Sequence, residues 1–440
     1  MILVKYLAPA YVYTQGGLEK DRLIAIGDDG RIVMMGDARQ HEQITEGEQI
    51  EYLPKTLLLP GFVNAHSHVF QRELRGHTHR PLSRQDTFWT WRRAMYAQAQ
   101  SLTPELLYES AYHTYREMLA AGYTSVGEFH YVHHQLDGTP YERPNAMAEA
   151  ILQAGQDAGI RVVMLLSAYA RGGFQQPAEE GQRRFCDGSV ELYLARVEAL
   201  RQAGFAVGLA PHSVRAVPGD WFRALAAYSR EHGLPLHVHA DEQMAEIEQC
   251  QSVHGCRPIE LLERYDALYS GTTIIHATHA NEYELSLLDQ YGCTVCVCPT
   301  TEGDLGDGIA PYQELAARNI PLAIGADSNT RLDPFEELRW AEYSARMRYQ
   351  RRRILVAGEL DAPGPLLLTT GTRGGAQALG IATGEIAPDQ FADFVEIDLE
   401  HPQVRGWSDE DLLDTLFFGV SSTVIARTWV GGRCVHHRED

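Results

Sequence analysis

Leu57-Leu58-Leu59-Pro60-Gly61-Phe62-Val63-Asn64-Ala65-His66-Ser67-His68 is the stretch that decides the fold. A strand-like apolar run through Val63 leads into two histidines one residue apart. Side chains alternate along an extended chain, so both imidazoles project to one side and can reach one ion. The arrangement recurs downstream. His239 ends Pro235-Leu236-His237-Val238-His239, His276 ends Thr272-Thr273-Ile274-Ile275-His276, and Asp327 ends Pro321-Leu322-Ala323-Ile324-Gly325-Ala326-Asp327. A His-x-His pair says little by itself in a chain with 19 histidines. Scattered structural histidines, however, would not fall at successive strand ends.

Working outward, strand candidates lie near residues 57–63, 123–129, 161–167, 206–211, 235–239, 272–276, 294–298 and 321–326. Amphipathic helical segments separate most of them. Thr103-Pro104-Glu105 opens one such helix and Gly122 stops it. Alternating strands and helices with Val/Ile/Leu-rich strands imply a parallel sheet covered by helices. Eight such units predict an α/β fold, a (β/α)8 TIM-type barrel over residues 57–383, with the active site at the C-terminal strand ends. No Gly-x-Gly-x-x-Gly follows the first strand, which argues against a dinucleotide-binding sheet. Glycines 371, 374, 375 and 380 lie in a helical stretch and read as close-packing positions. Residues 1–56 and 384–440 read as short strands with turns at Gly16-Gly17 and Asp28-Asp29-Gly30, which predicts a small β-sandwich built from both ends of the chain. The connection from about 69 to 103 carries Phe88-Trp89-Thr90-Trp91-Arg92 and reads as a long loop, either a lid on the barrel mouth or an aromatic cluster packed outside.

The chain has 440 residues, 44% hydrophobic, and a formal charge of −21. That charge argues against nucleic acid or an anionic membrane as partner, and an anionic substrate would need local arginines. The N-terminus has no signal-peptide pattern, and no apolar run approaches the ~20 residues of a membrane span. The seven cysteines read as reduced thiols of a cytoplasmic protein. Thr294-Val295-Cys296-Val297-Cys298 reads as a buried barrel strand, since no second Cys-x-x-Cys completes a metal set. The basic run Arg346-Met347-Arg348-Tyr349-Gln350-Arg351-Arg352-Arg353 reads as a solvated or subunit-facing helix.

Three imidazoles and a carboxylate, His66, His68, His239 and Asp327, make a divalent-metal site that can keep a position open. The only lysines are Lys5, Lys20 and Lys55, all before the barrel, so a centre bridged by a carbamylated lysine is excluded. One Zn2+ per chain is the expectation, with Glu128 a remote candidate for a second ion. Such an ion makes water a nucleophile near neutral pH. Asp327 can also accept the water's proton. Glu242, three residues beyond His239, is placed to carry a proton to a leaving nitrogen, or else to satisfy a helix N-terminus. His276 is a further ligand or a donor one shell out, and His279 is structural.

These residues resemble the amidohydrolase superfamily in its mononuclear deaminase branch. Gly374-Gly375-Ala376-Gln377-Ala378-Leu379-Gly380 and Ala392-Asp393 are also similar to that superfamily; Pro388-Asp389-Gln390 departs from its usual glycine turn. Four local motifs resemble the formimidoylglutamate deiminase family of histidine degradation: Phe70-Gln71-Arg72, Phe88-Trp89-Thr90-Trp91-Arg92, Glu128-Phe129-His130-Tyr131 and Pro211-His212-Ser213-Val214-Arg215-Ala216. The resemblance implies that Gln71, Arg92, Tyr131, His212 and Arg215 contact a small dicarboxylate substrate, that Glu242, His276 and Asp327 are catalytic, and that the protein is a homodimer. The implied reaction is hydrolysis of N-formimino-L-glutamate to N-formyl-L-glutamate and ammonia. A cationic amidine-like end suits Glu242 and Asp327, while guanidinium binds carboxylates in bidentate fashion. A deaminase of a heteroaromatic base such as guanine or a pterin predicts stacking aromatics without paired arginines. A non-catalytic barrel serving as a scaffold predicts lost ligands, and none is missing.

Overall fold

The computed structural model describes residues 5–38, 50–79, 88–358 and 361–439. Eight parallel strands run in chain order around one sheet: Phe62–Ser67, Tyr123–His130, Arg161–Ala168, Val207–Pro211, Leu236–Ala240, Thr272–His276, Thr294–Val297 and Leu322–Ile324. Their residues are almost all buried, as expected for strands covered on both faces. Helices between them present apolar stripes to the sheet. Pro104–Ala120 begins where the Thr103 hydroxyl accepts the Leu106 N–H at 3.3 Å, and Gly122 follows its end at φ +94°.

The seam of the barrel lies between the first and eighth strands. Ser67 and Asp327 form a parallel bridge there; His68 N–H donates to the Asp327 carbonyl and Asp327 N–H to the His66 carbonyl, each at 2.9 Å. The Asn64 side chain adds an acceptor for the Ala326 N–H at 2.9 Å. The residues expected to bind metal therefore also close the fold.

The expected strand at 57–63 is divided. Ile50–Pro60 belongs to the other sheet, Gly61 makes the transition, and the first barrel strand begins at Phe62. That other sheet has eight strands, both ends of the chain contribute to it, and it is mixed. Lys5–Thr14 pairs parallel to Ile50–Pro60, and the remaining pairs, including Ile50–Pro60 with Phe394–Asp398, are antiparallel. Asp393 ties it to the barrel: its buried carboxylate lies 3.3 Å from Arg161 Nη2 and accepts the Gly431 N–H at 2.7 Å. In the Pro388-Asp389-Gln390 turn, Asp389 takes the left-handed conformation at φ +70°, one that aspartate tolerates.

Two further expectations change. The connection from 69 to 103 is largely helical, a 3-10 helix at Val69–Leu74 and an α-helix at Phe88–Ser101; residues 80–87 and the side chains of Phe88 and Trp89 lie outside the described residues. The helix carrying the basic run ends at Tyr349, with Gln350 in the left-handed region at φ +51°, so Arg351, Arg352 and Arg353 follow the helix instead of forming part of it. Close packing explains the glycines at 371–375: a Cβ on Gly374 would stand 1.8 Å from the Leu322 carbonyl oxygen.

Candidate active site

His66 and His68 project from the end of the first strand, His239 from the fifth, His276 from the sixth, and Asp327 follows the eighth. His66 Nε2 and His68 Nε2 each lie 3.3 Å from Asp327 Oδ1, and His239 Nε2 lies 3.1 Å from His66 Nε2. All four are buried.

The hydrogen-bond partners show that this set fits a metal ion. His68 Nδ1 faces the Phe129 carbonyl at 2.7 Å, and His239 Nδ1 faces the His212 carbonyl at 2.9 Å. A carbonyl only accepts, which assigns the proton to Nδ1 in both rings and leaves their Nε2 lone pairs turned inward. Burial pushes both imidazoliums below their ordinary pKa and brings His66 to about 3, so the rings are neutral ligands. Burial by itself would raise Asp327, but its hydrogen bond to His66 and the charge of the nearby His276 hold it well below the usual carboxylate range. Neutral nitrogen lone pairs and an ionised carboxylate oxygen converging within these distances are what a divalent cation satisfies.

The left-handed region recurs at these strand ends. His276 has φ +73° and Asp327 +46°, which histidine and aspartate tolerate, whereas Ala277 at +50° is held there by the surrounding structure.

His276 stands just beyond that set. Its Nε2 lies 3.8 Å from both Glu242 Oε1 and Asp327 Oδ2, and its Nδ1 lies 3.3 Å from Glu302 Oε1. The 3.8 Å gaps are too long for direct hydrogen bonds and of the size a small oxygen- or nitrogen-bearing group fills. Glu242 precedes Gln243, the N-cap of helix Met244–His254, so its carboxylate reaches His276 and is not the capping group. Burial raises the Glu242 carboxyl, while the charge on His276 opposes that shift. Glu128 turns away from the imidazoles and accepts from the Ser67 hydroxyl and the Val69 N–H, each at 2.8 Å. It steadies the His66-Ser67-His68 turn and belongs to neither group of potential ligand atoms among the described residues. His279 is structural, with Nε2 facing the Asp307 carbonyl at 2.8 Å. Cys298 is buried at the end of the seventh strand, within 4.8 Å of ligand atoms on His276 and Asp327; all seven cysteines are free thiols.

One cavity of about 540 Å³, counting its open mouth, joins this chemistry to the other expected residues. It is lined by His68, His239, Glu242, His276 and Asp327 and equally by Gln71, Arg92, Tyr131, His212 and Arg215. Gln71 Nε2 donates to the Tyr131 hydroxyl at 2.9 Å, while Gln71 Oε1 has no partner among the described residues. Arg92 Nε donates to the Tyr96 hydroxyl at 2.5 Å. Arg215 is only 7% exposed, and its Nε is unpartnered among the described residues. Trp91 and Arg92 line the cavity from helix Phe88–Ser101, so this part of the aromatic segment faces inward.

The sequence did not single out several wall residues. Tyr169 follows the end of the third strand, and that rule applied to every strand would have reached it; Glu302, behind His276 and not in the wall, sits in the helix Pro299–Leu305 after the seventh strand. Met95, Tyr96 and Phe185 carry no such signal, because the helical segments bearing them reach the cavity only through tertiary packing.

Barrel, strand-end metal ligands and paired acid groups define a metal-dependent hydrolase of carbon–nitrogen bonds. The chain belongs to the amidohydrolase family, whose model matches residues 57–435. A formimidoylglutamate deiminase from Pseudomonas aeruginosa is 39% identical over 383 residues, covering 86% of this chain and 84% of that protein. An 8-oxoguanine deaminase from the same organism is 29% identical over 416 residues, covering 91% of this chain and 87% of that one. The crystal structure of an amidohydrolase from Brucella melitensis superposes with a TM-score of 0.89 at 32% identity, covering 99% of this chain and 96% of the other. Among the described residues, no helix is long and apolar enough to cross a membrane.

Proposed function

We propose that the protein hydrolyses N-formimino-L-glutamate to N-formyl-L-glutamate and ammonia, using one Zn2+ held by His66, His68, His239 and Asp327. The observation that carries this reading is the charge division within a single cavity. Glu242 and Asp327 face the metal end, with Glu302 buried behind His276, and Arg92 and Arg215 line the same space. A substrate with a cationic formimino group and two carboxylates matches that division. The neutral donors of Gln71, Tyr131 and His212 complete the carboxylate side. The aromatic-base alternative calls for stacking walls without paired guanidiniums, whereas here both arginines line the pocket.

A divalent ion in this set supplies Lewis acidity that makes water nucleophilic near neutral pH. The chain's own residues do the rest. Asp327 Oδ1 faces His66 and His68, and Oδ2 faces His276, where it can take a proton from the attacking water. The water oxygen bonds to the formimino carbon, and His276 Nε2 steadies the charge that develops there. Glu242 delivers a proton to the amino nitrogen, the carbon–nitrogen bond breaks as the adduct's hydroxyl proton passes back to the Glu242 carboxylate, and ammonia leaves the formyl carbonyl behind. Arg92 and Arg215 hold the carboxylates so that the formimino carbon meets the nucleophile in one orientation. We extend the reading to a cytoplasmic homodimer acting on a free small molecule.

The test is ammonia release by zinc-loaded protein from N-formimino-L-glutamate, with guanine and N-formyl-L-glutamate in parallel. Release from the formimino compound alone is expected. Turnover of guanine with none of the formimino compound would overturn the assignment in favour of an aromatic base.

A further inference from the structure

We propose that Glu302 is a positioning residue for this reaction, holding the His276 ring with its Nδ1 proton on the carboxylate and its Nε2 turned to the reacting carbon. The inference rests on the function proposed above for the identity of the substrate, though not for the contact itself.

Glu302 lies in helix Pro299–Leu305, just after the seventh strand, and is 3% exposed. Its Oε1 accepts the Cys298 N–H at 2.9 Å and faces His276 Nδ1 at 3.3 Å. Oε1 already accepts the Cys298 N–H, and as an acceptor it keeps a proton on the Nδ1 that faces it, whether or not Nε2 carries one as well. Nε2 is then the nitrogen between Glu242 Oε1 and Asp327 Oδ2, at 3.8 Å from each. Among the described residues, the Nε2 neighbours Glu242 and Asp327 stand too far off to fix the ring in that orientation without substrate. The Nδ1 side does have such a partner, anchored by the backbone of the next strand end. Orienting a catalytic imidazole through its other nitrogen is a general device, and it accounts for a buried carboxylate whose ring partner among the described residues is His276. The plainer role is that Glu302 only satisfies the Cys298 N–H at the start of its helix. Both contacts use Oε1, so glutamine keeps both and leucine neither; the roles separate by readout, since only the positioning role moves the His276 ring signals and kcat per metal-loaded, folded molecule.

Glu302→Gln and Glu302→Leu are compared with the unmodified zinc-loaded protein by metal content, kcat and KM on N-formimino-L-glutamate, and by the 15N tautomer signals of the ring, assigned with His276→Gln. The proposal expects the wild-type ring to carry its proton on Nδ1. Glu302→Leu should lower kcat by about 10- to 100-fold with KM little changed and metal retained, and Glu302→Gln should recover most of the loss. An unprotonated Nδ1 in the wild-type resting enzyme overturns the proposal. So does an unchanged kcat per metal-loaded molecule in Glu302→Leu, or loss of the ion in Glu302→Gln. Should Glu302→Leu fail to fold, the wild-type tautomer and the Glu302→Gln kinetics still decide. If the unmodified protein releases ammonia from a different substrate, the function reading fails by itself, and the same comparison is made on that substrate.

Discussion

Glu242 and His276 face each other across 3.8 Å with Asp327 Oδ2 at the same distance from the imidazole, so three titratable groups surround the space where a carbon–nitrogen bond would break. Burial raises the Glu242 carboxyl, which suits a group that must hold a proton before delivering it. Glutamine at 242 keeps shape and volume but has no proton to deliver. Glu242→Gln should therefore lower kcat by roughly 10²- to 10⁴-fold, the usual span of general acid–base catalysis. Zinc content, measured by atomic emission, should be unchanged, because the carboxylate is not one of the four ligands. Retention of substantial turnover would remove Glu242 from the proton path. The strand-end rule made these residues legible in the sequence, since a side chain at a barrel strand's C-terminal end needs no further information to be placed near its fellows. Glu128 obeyed the same rule yet points away, because the Ser67 hydroxyl and Val69 amide claim its oxygens.

At the scale of elements, helix positions followed from local chemistry while their contacts did not. Thr103 and Gly122 bounded Pro104–Ala120 correctly because caps act within a turn. Phe88–Ser101 read as loop because its aromatics lacked a clear apolar stripe, and its inward face exists only against the barrel mouth. The packing of helix Pro334–Tyr349 on Pro299–Leu305 has a measurable consequence. Glu337 on the first accepts the Thr300 N–H of the second at 3.0 Å and bonds its hydroxyl, and burial raises its pKa from 4.5 to about 8. The unfolded chain releases this proton above its ordinary pKa, whereas the folded chain keeps it until about 8. The folded state thus holds the extra proton between those values, and its stabilisation is lost as pH rises through that window. At ~1.4 kcal/mol per unit, any stability advantage of the wild type over Glu337→Gln should shrink by roughly 3 kcal/mol from pH 5.5 to pH 8. Denaturant midpoints at the two pH values measure it, and a constant difference would mean that Glu337 is already ionised in the fold at the lower pH.

For the whole molecule, the alternation of strands and helices foretold a closed parallel barrel, and the strand-rich ends foretold a second sheet. Which strands pair in that sheet was not legible, because Ile50–Pro60 takes a parallel partner on one side and an antiparallel one on the other through contacts distant in sequence. Nor did the sequence show that barrel closure and metal binding share residues. His66, His68 and Asp327 supply ligand atoms from their side chains and seam hydrogen bonds from their backbones. Without the ion, the His66 and His239 nitrogens 3.1 Å apart must bridge by moving a proton onto one Nε2, a tautomer that no longer offers its lone pair, so removing the ion should loosen the seam as well as stop turnover. An ion that binds only the folded state stabilises it by about 2.7 kcal/mol at a free concentration 100-fold above its Kd. Chelation should accordingly lower the thermal midpoint, and zinc should restore it in a concentration-dependent way. Amide hydrogen exchange locates the effect. Protection should fall first at His68 and Asp327, whose N–H groups bond across the seam, while Arg161–Ala168 and Val207–Pro211, further from it in the strand order, stay protected. Uniform loss across all eight strands would mean that the ion supports the barrel globally, and no loss anywhere would confine its role to chemistry.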